Sequence, residues 1–249
     1  MSATITDGKI RHLRLCPLFN GISAMDMEQL RHTTTVVQMK PQDRILTSPS
    51  ETPALWLVKE GLVSLTYGDA EGKDATVLLL GPDDLFGALQ GNEEYEYGET
   101  VVALKPTVLC RMNRHQLEIL LHKYPEVAYQ VAQFCWHRIA RLQQRLADIM
   151  TRSVKERLAM MLLKMAADYG EETSSGRRSL GLLVTHDDLA RLVGSSREMV
   201  SKIIGQFRNQ GWIRTSRRSI EVMESAALGR IAGMGEPQAL LPSFVEGSK

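Results

Sequence analysis

The chain has 249 residues, 43% of them hydrophobic and 24% charged, with a formal net charge of +1. This composition leaves room for two cores and excludes a disordered chain or a fibre. No apolar run approaches the roughly 18 residues of a membrane span, and MSATITDGKIRHLRL lacks the apolar core of a signal peptide, so a cytoplasmic protein without membrane contact is expected.

In chain order, LRLCPLFNGISAMDMEQL opens as a short helical entry in which Ser23 is placed to cap Ala24 to Leu30. Residues 36–111 then carry VVQM, ALWLV, LVSLTY, ATVLLL, TVVAL and TVLCRM. These are short alternating or β-branched runs, separated by the turn formers KPQD, KEG, GDAEGK and GPDD, and they predict a sandwich or roll of short strands. A long helix follows from Pro125, a residue suited to a first helical turn. Within it Ala128, Val131, Cys135, Ile139, Leu142, Leu146 and Ile149 repeat at three-and-four spacing, with Arg138, Arg141, Arg145 and Asp148 on the outside. Such a seam meets another helix or its own domain; its length and narrowness favour a parallel pairing with a second copy.

A second unit starts at Ser153-Val-Lys-Glu156, a capping-box spacing ahead of RLAMMLLKMA. After the loop GEETSSGRRSLG, Thr185-His-Asp-Asp188 opens a short helix with Leu189, Leu192 and Val193 as its apolar side; Gly194 breaks it, and Ser195-Ser-Arg-Glu198 caps the next. In that next helix Val200, Ile203, Ile204 and Phe207 fall at i, i+3, i+4 and i+7, which makes one buried face. The other face shows Arg197, Glu198, Ser201 and Lys202 near its N-terminus. Two helices joined by a glycine turn make a helix-turn-helix, and WIRTSRRSIEV predicts a strand–turn–strand wing.

Residues 151–223 hold 13 Lys and Arg against 8 Asp and Glu, while the rest of the chain holds 17 against 21. The basic excess sits with the helix-turn-helix, the direction expected of a polyanion binder. A helix in the major groove reads base edges from its N-terminal end, where an arginine bonds guanine at O6 and N7 and a glutamate accepts from the cytosine amino group. The plainer role for Glu198, closing its capping box and pairing at i+4 with Lys202, is compatible with this one.

No GxxxxGK[ST], GxGxxG after a strand, HExxH or GxSxG occurs, so nothing points to an enzyme. Cys16, Cys110 and Cys135 are scattered, without a CxxC pair, and read as isolated thiols with no metal site.

THDDLARLVGSSREMVSKIIGQFRNQGWI resembles the DNA-binding signature of the cyclic-AMP receptor protein/fumarate-nitrate regulator (CRP/FNR) superfamily. LRLCPLFNGIS is similar to its N-terminal opening and ALWLVKEGLVSLTYGDAEGKDATVLLLGPDDLFG to its roll, so the likeness spans about residues 10–223. The resemblance implies an α+β chain: an N-terminal antiparallel β-roll of the cyclic-nucleotide-binding, jelly-roll type with an N-terminal helix (1–124), a long dimerisation helix (125–150) and a C-terminal winged helix-turn-helix (151–223). Residues 224–249 are left as a tail without a role. It further implies a bacterial, homodimeric transcription regulator that binds a palindromic operator on double-stranded DNA and contacts RNA polymerase.

By that resemblance Arg197, Glu198 and Lys202 are the base-reading positions, the first two matching the branch whose half-sites carry a TGTGA-like core. Lys202 stands where arginine is usual, and a point charge in place of a planar fork relaxes selectivity there. Thr185, Ser196, Arg217 and Arg218 are the candidates for phosphate contact. In the family's cyclic-nucleotide binders an FGE segment precedes an Arg-Ser or Arg-Thr pair; here the segments are Phe86-Gly87-Ala88-Leu89 and Tyr97-Gly98-Glu99-Thr100. The glutamate becomes Ala88, the arginine Tyr97, and the carboxylate of Glu99 is added, so a cyclic phosphate loses its bidentate partner and meets a like charge. No cofactor is assigned. No spacing selects a haem ligand among His12, His32, His115, His122, His137 and the cysteines, and 2-oxoglutarate would lack a cation. The remaining alternatives are activity without ligand, gating by haem or another small molecule, and a scaffold that uses the roll without DNA.

Overall fold

The structure, a computed structural model, describes residues 16–47, 54–68, 74–87, 98–172, 178–180, 184–216 and 219–234. The chain divides into two compact units, residues 1–143 and 144–249. Among the described residues no helix is long and apolar enough to cross a membrane.

In the first unit a helical turn, Pro17–Phe19, leads to α1 (Ala24–Thr33), whose N-cap Ser23 accepts from the Asp26 amide. Eight strands follow: β1 (Thr35–Met39), β2 (Arg44–Thr47), β3 (Ala54–Glu60), β4 (Val63–Gly68), β5 (Asp74–Leu80), β6 (Leu85–Gly87), β7 (Gly98–Ala103) and β8 (Thr107–Asn113). They form two four-stranded antiparallel sheets, ordered β1-β8-β3-β6 and β2-β7-β4-β5. This is the antiparallel roll expected.

Strand alternation builds two cores from one sheet. On β3, Ala54, Trp56 and Val58 join Val63, Leu65, Leu80, Phe86 and Val101 in a core shared by both sheets. Leu55 and Leu57 of the same strand point the other way, onto Phe19, Leu30 and the helices beyond. Those helices are α2 (Arg114–Lys123) and α3 (Pro125–Thr151). Two strands and one helix escape the sequence reading. β6 follows directly on the turn GPDD, in three residues too few to show a period, and is a strand because Leu55–Leu57 pair with it. β2 is four residues held by β7, and α2 starts from an Asn113/Gln116 capping box.

The second unit contains the end of α3, then α4 (Val154–Tyr169), β9 (Glu171–Glu172), β10 (Arg178–Leu180), α5 (His186–Val193), α6 (Arg197–Asn209), β11 (Ile213–Ser216), β12 (Ser219–Val222) and α7 (Ser225–Ile231). Ser153 and Glu156 close the expected capping box of α4. The β11–β12 hairpin continues into β10 and β9 as one antiparallel sheet, so part of the segment read as a loop is strand. Residues 224–249 are not wholly a tail. α7 packs on α4, Ala227, Leu228 and Ala232 are buried, and Arg152 donates to the Ala232 carbonyl at 2.6 Å. Seven residues with a few small apolar side chains carry too little periodicity to show this in sequence.

Candidate nucleic-acid interface

The helix-turn-helix is fixed at its entry by Thr185. Its hydroxyl accepts from the Asp188 amide at 3.1 Å, and the Asp188 carboxylate accepts from the Thr185 amide at 2.8 Å. At the other end of α5, Gly194 adopts φ 63° and ψ 57°, a left-handed conformation that favours glycine.

Two arginines finish this helix end. Arg145 donates to the carbonyls of Leu192 (2.6 Å) and Arg191 (3.3 Å), and Arg157 to those of Val193 (2.9 Å) and Gly194 (3.2 Å). Arg157 also reaches the Arg152 carbonyl at 2.6 Å. Four successive carbonyls at the negative end of a helix thus meet two guanidinium groups. Burial, reinforced by the charge of Arg157, draws the Arg145 pKa below its ordinary value.

The sequence reading put Arg138, Arg141, Arg145 and Asp148 on the outside of α3, and that placement is corrected. Arg138 lies 3.8 Å from Glu99, Arg141 donates to the Leu79 carbonyl at 2.6 Å, Arg145 holds α5, and Asp148 is buried against Gln144 and Arg152.

On α6, Val200, Ile203, Ile204 and Phe207 are buried, as their spacing predicts. The N-cap is Ser196 rather than Ser195: its hydroxyl accepts from the Met199 amide at 3.3 Å. Glu198 therefore sits at the second helical position, where its own amide and the Ser196 side chain hold its carboxyl below the usual range. Among the described residues no ion pair joins Glu198 to Lys202. Arg197, Glu198, Met199 and Lys202 are exposed. Ser201, by contrast, is half-buried and lies 2.8 Å from His186 Nδ1, tying α6 to α5. In the wing the Ser216 and Ser219 hydroxyls meet at 2.8 Å; Arg217 and Arg218 lie outside the described residues.

In the roll, Phe86 is buried and stacks on Trp56, the rings 5.8 Å apart and 4° from parallel. Gly87 has φ 101°, and a Cβ there would run into the Ala54 carbonyl oxygen. Ala88, Leu89 and Tyr97 lie outside the described residues. Glu99 accepts from the Tyr67 hydroxyl at 2.6 Å and pairs with Arg138, while Thr100 faces Thr66 across the sheet. Burial and the neighbouring Glu99 carboxylate push the Tyr67 phenol well above its usual range. Neither Tyr67 nor Arg138 was visible as part of this site, because nothing in the sequence brings β4, β7 and α3 together.

Along α3 the predicted seam splits. Val131 and Leu142 are half-buried against the roll's own cores, whereas Cys135, Ile139, Leu146 and Ile149 are exposed, with Trp136 and Met150 beside them at 69% and 76%. Cys16 and Cys110 are buried in one core, and burial pushes the Cys16 thiol up to about 12. Among the described residues no group of three or more His, Cys, Asp or Glu is placed to hold a metal ion.

An antiparallel roll followed by a long helix and a helix-turn-helix with a β-wing is the architecture of a DNA-binding regulator. Residues 36–124 match the cyclic nucleotide-binding domain model and residues 156–231 the Crp-like helix-turn-helix model. Two curated relatives come from Thermus thermophilus. The chain is 30% identical to a cyclic AMP receptor protein over 219 residues, covering 87% of this chain and 96% of the relative. It is 32% identical to the transcriptional regulator SdrP over 212 residues, covering 83% and 96%. A solved CRP/FNR-family transcriptional regulator of the same organism superposes with a TM-score of 0.66 at 30% identity, covering 80% of this chain and 98% of that one. The chain belongs to the CRP/FNR family of transcription regulators.

Proposed function

We propose that this regulator is a homodimer that reads an inverted repeat with TGT-like half-sites, without needing cyclic AMP and without enzymatic activity. The observation that carries the reading is the exposed Arg197, Glu198 and Lys202 end of α6, held on a framed helix-turn-helix. Arg197 suits bidentate bonding to guanine and Glu198 the cytosine amino group, while Lys202 supplies a less selective cation. Thr185, Ser196, Arg217 and Arg218 are assigned to phosphates, which set register rather than sequence. The exposed Ile139, Leu146 and Ile149 support pairing of two α3 helices, which would place the recognition helices about 34–36 Å apart, one turn of DNA.

Independence from cyclic AMP is supported by Glu99. Its carboxylate, in the segment that aligns with the family's phosphate-binding pair, is already engaged by Arg138 and Tyr67. Selection of bound sequences from a random duplex pool, with no ligand added, tests the reading: a sharp palindrome is expected, and enrichment of nothing by the purified protein or in cell extract would overturn it. Calorimetric titration with cyclic AMP and cyclic GMP is expected to show no micromolar binding.

A further inference from the structure

The exposed face of α6 contains a residue whose presence neither packing nor backbone geometry explains. Glu198, Lys202, Gly205 and Asn209 follow one another at i, i+4, i+7 and i+11, a single row opposite the buried Val200, Ile203, Ile204 and Phe207. Within it Gly205 is a gap. Glycine inside a helix is less favourable than alanine, so some use must offset it. The usual uses inside a protein are missing. Gly205 is not among the glycines with positive φ, and a Cβ built on it would meet nothing within 4 Å. Gly61 and Gly87, by contrast, have positive φ, and a Cβ on either would strike neighbouring backbone.

Open space on the protein's side leaves close approach of something outside it as the use for the missing side chain. Gly205 lies seven residues along α6 from Glu198, about 10 Å at roughly 1.5 Å per residue. The major groove is about 12 Å wide. A helix that enters the groove N-terminus first, with Glu198 at the base edges, brings residue 205 to the groove's wall rather than its floor. We propose that Gly205 is a notch for the DNA sugar–phosphate backbone, where the strand seats against α6 and sets how deeply Arg197 and Glu198 enter. This rests on the DNA-reading assignment above.

The test compares Gly205→Ala, Gly205→Leu and Gly229→Ala with the unmodified protein on operators selected by that protein. Gly229 lies in α7 and also has open space where a Cβ would go, so it controls for helix propensity alone. Gly205→Ala is expected to raise the melting temperature by about 2–4 °C. It is also expected to weaken every selected operator by about tenfold, as a forced overlap would, with Gly205→Leu weaker still. The order of base preferences and the salt slope should not change, because no charge and no base contact is altered. Gly229→Ala should leave affinity unchanged. Equal affinity of Gly205→Ala and the unmodified protein would overturn the notch while leaving DNA reading intact; so would a loss confined to one base pair, which would place residue 205 over a base. If the unmodified protein selects no duplex, the DNA reading fails first and the notch with it.

Discussion

The polar end of α6 and the candidate effector site of the roll are both clusters of charged side chains, yet they use their charges in opposite ways. On α6, Arg197, Glu198 and Lys202 stand in solvent, while the restraint that positions them comes from elsewhere: the buried stripe beneath, Ser201 on His186, and Arg157 at the preceding turn. In the roll, Glu99 is taken by Tyr67 and Arg138, and Phe86 is stacked into the core. A surface that must meet a partner leaves its charges outward and gives the structural work to other residues. A surface whose charges already satisfy one another has less to offer an outside ion.

The strongest way to break this contrast is to remove the proposed pairing of two α3 helices, through which two α6 helices would act together. Leu146→Glu places a carboxylate on the exposed side of α3, at a side chain 59% accessible in the single chain. Light scattering is expected to show monomers, and operator affinity should fall by roughly 10²–10⁴, the avidity lost when two half-sites are bound independently. Dimers with unchanged affinity would mean that α3 is not the pairing surface.

Next in size is Arg197→Ala, expected to cost about 1–3 kcal/mol per half-site and to relax preference at one base pair, read by competition across a panel of altered operators. A uniform loss at all positions would make Arg197 a phosphate contact and weaken the contrast.

Arg157→Ala sharpens it from the structural side. Loss of a guanidinium that serves the carbonyls of Arg152, Val193 and Gly194 is expected to destabilise the second unit by about 3 kcal/mol in a denaturant titration. Arg157→Lys should restore only part of this, since one ammonium cannot span these separate acceptors.

The smallest effect concerns charges in the roll that serve structure alone. Asp26 accepts from Lys123 at 2.8 Å and from the Ser23 and Tyr124 hydroxyls, and these bonds hold its carboxyl far below the usual range. A depressed carboxyl stabilises the fold fully above its unfolded pKa of about 4 and loses that contribution as pH falls towards its folded pKa. Acid titration of stability should therefore decline more steeply below that point in the unmodified protein than in Asp26→Asn.

What could be read in advance follows from how local each signal is. Ser153 with Glu156 and Thr185 with Asp188 announced their helices because a capping box is complete within four residues. The buried face of α6 and six of the eight strands were legible from their periodicity. β6 was not, since Asp83 and Asp84 look like a turn and the strand exists only through β3. The frame of the candidate interface was hidden for the same reason. Arg145 and Arg157 bond backbone carbonyls some 36 to 47 residues away, and a carbonyl leaves no mark in the sequence. The seam of α3 was half legible: its periodicity is real, but periodicity alone does not separate Val131 and Leu142, which meet the roll, from Ile139 and Leu146, which do not.

Strand β3, apolar on both sides, has a consequence for how the roll comes apart. Leu55 and Leu57 belong to the core under the helices, and Trp56 and Val58 to the core between the sheets, so neither core can open without stripping the strand that the other shares. The two are therefore expected to melt in a single cooperative step. Trp56, stacked on Phe86 in one core and flanked in sequence by residues of the other, is a natural fluorescent reporter of that step.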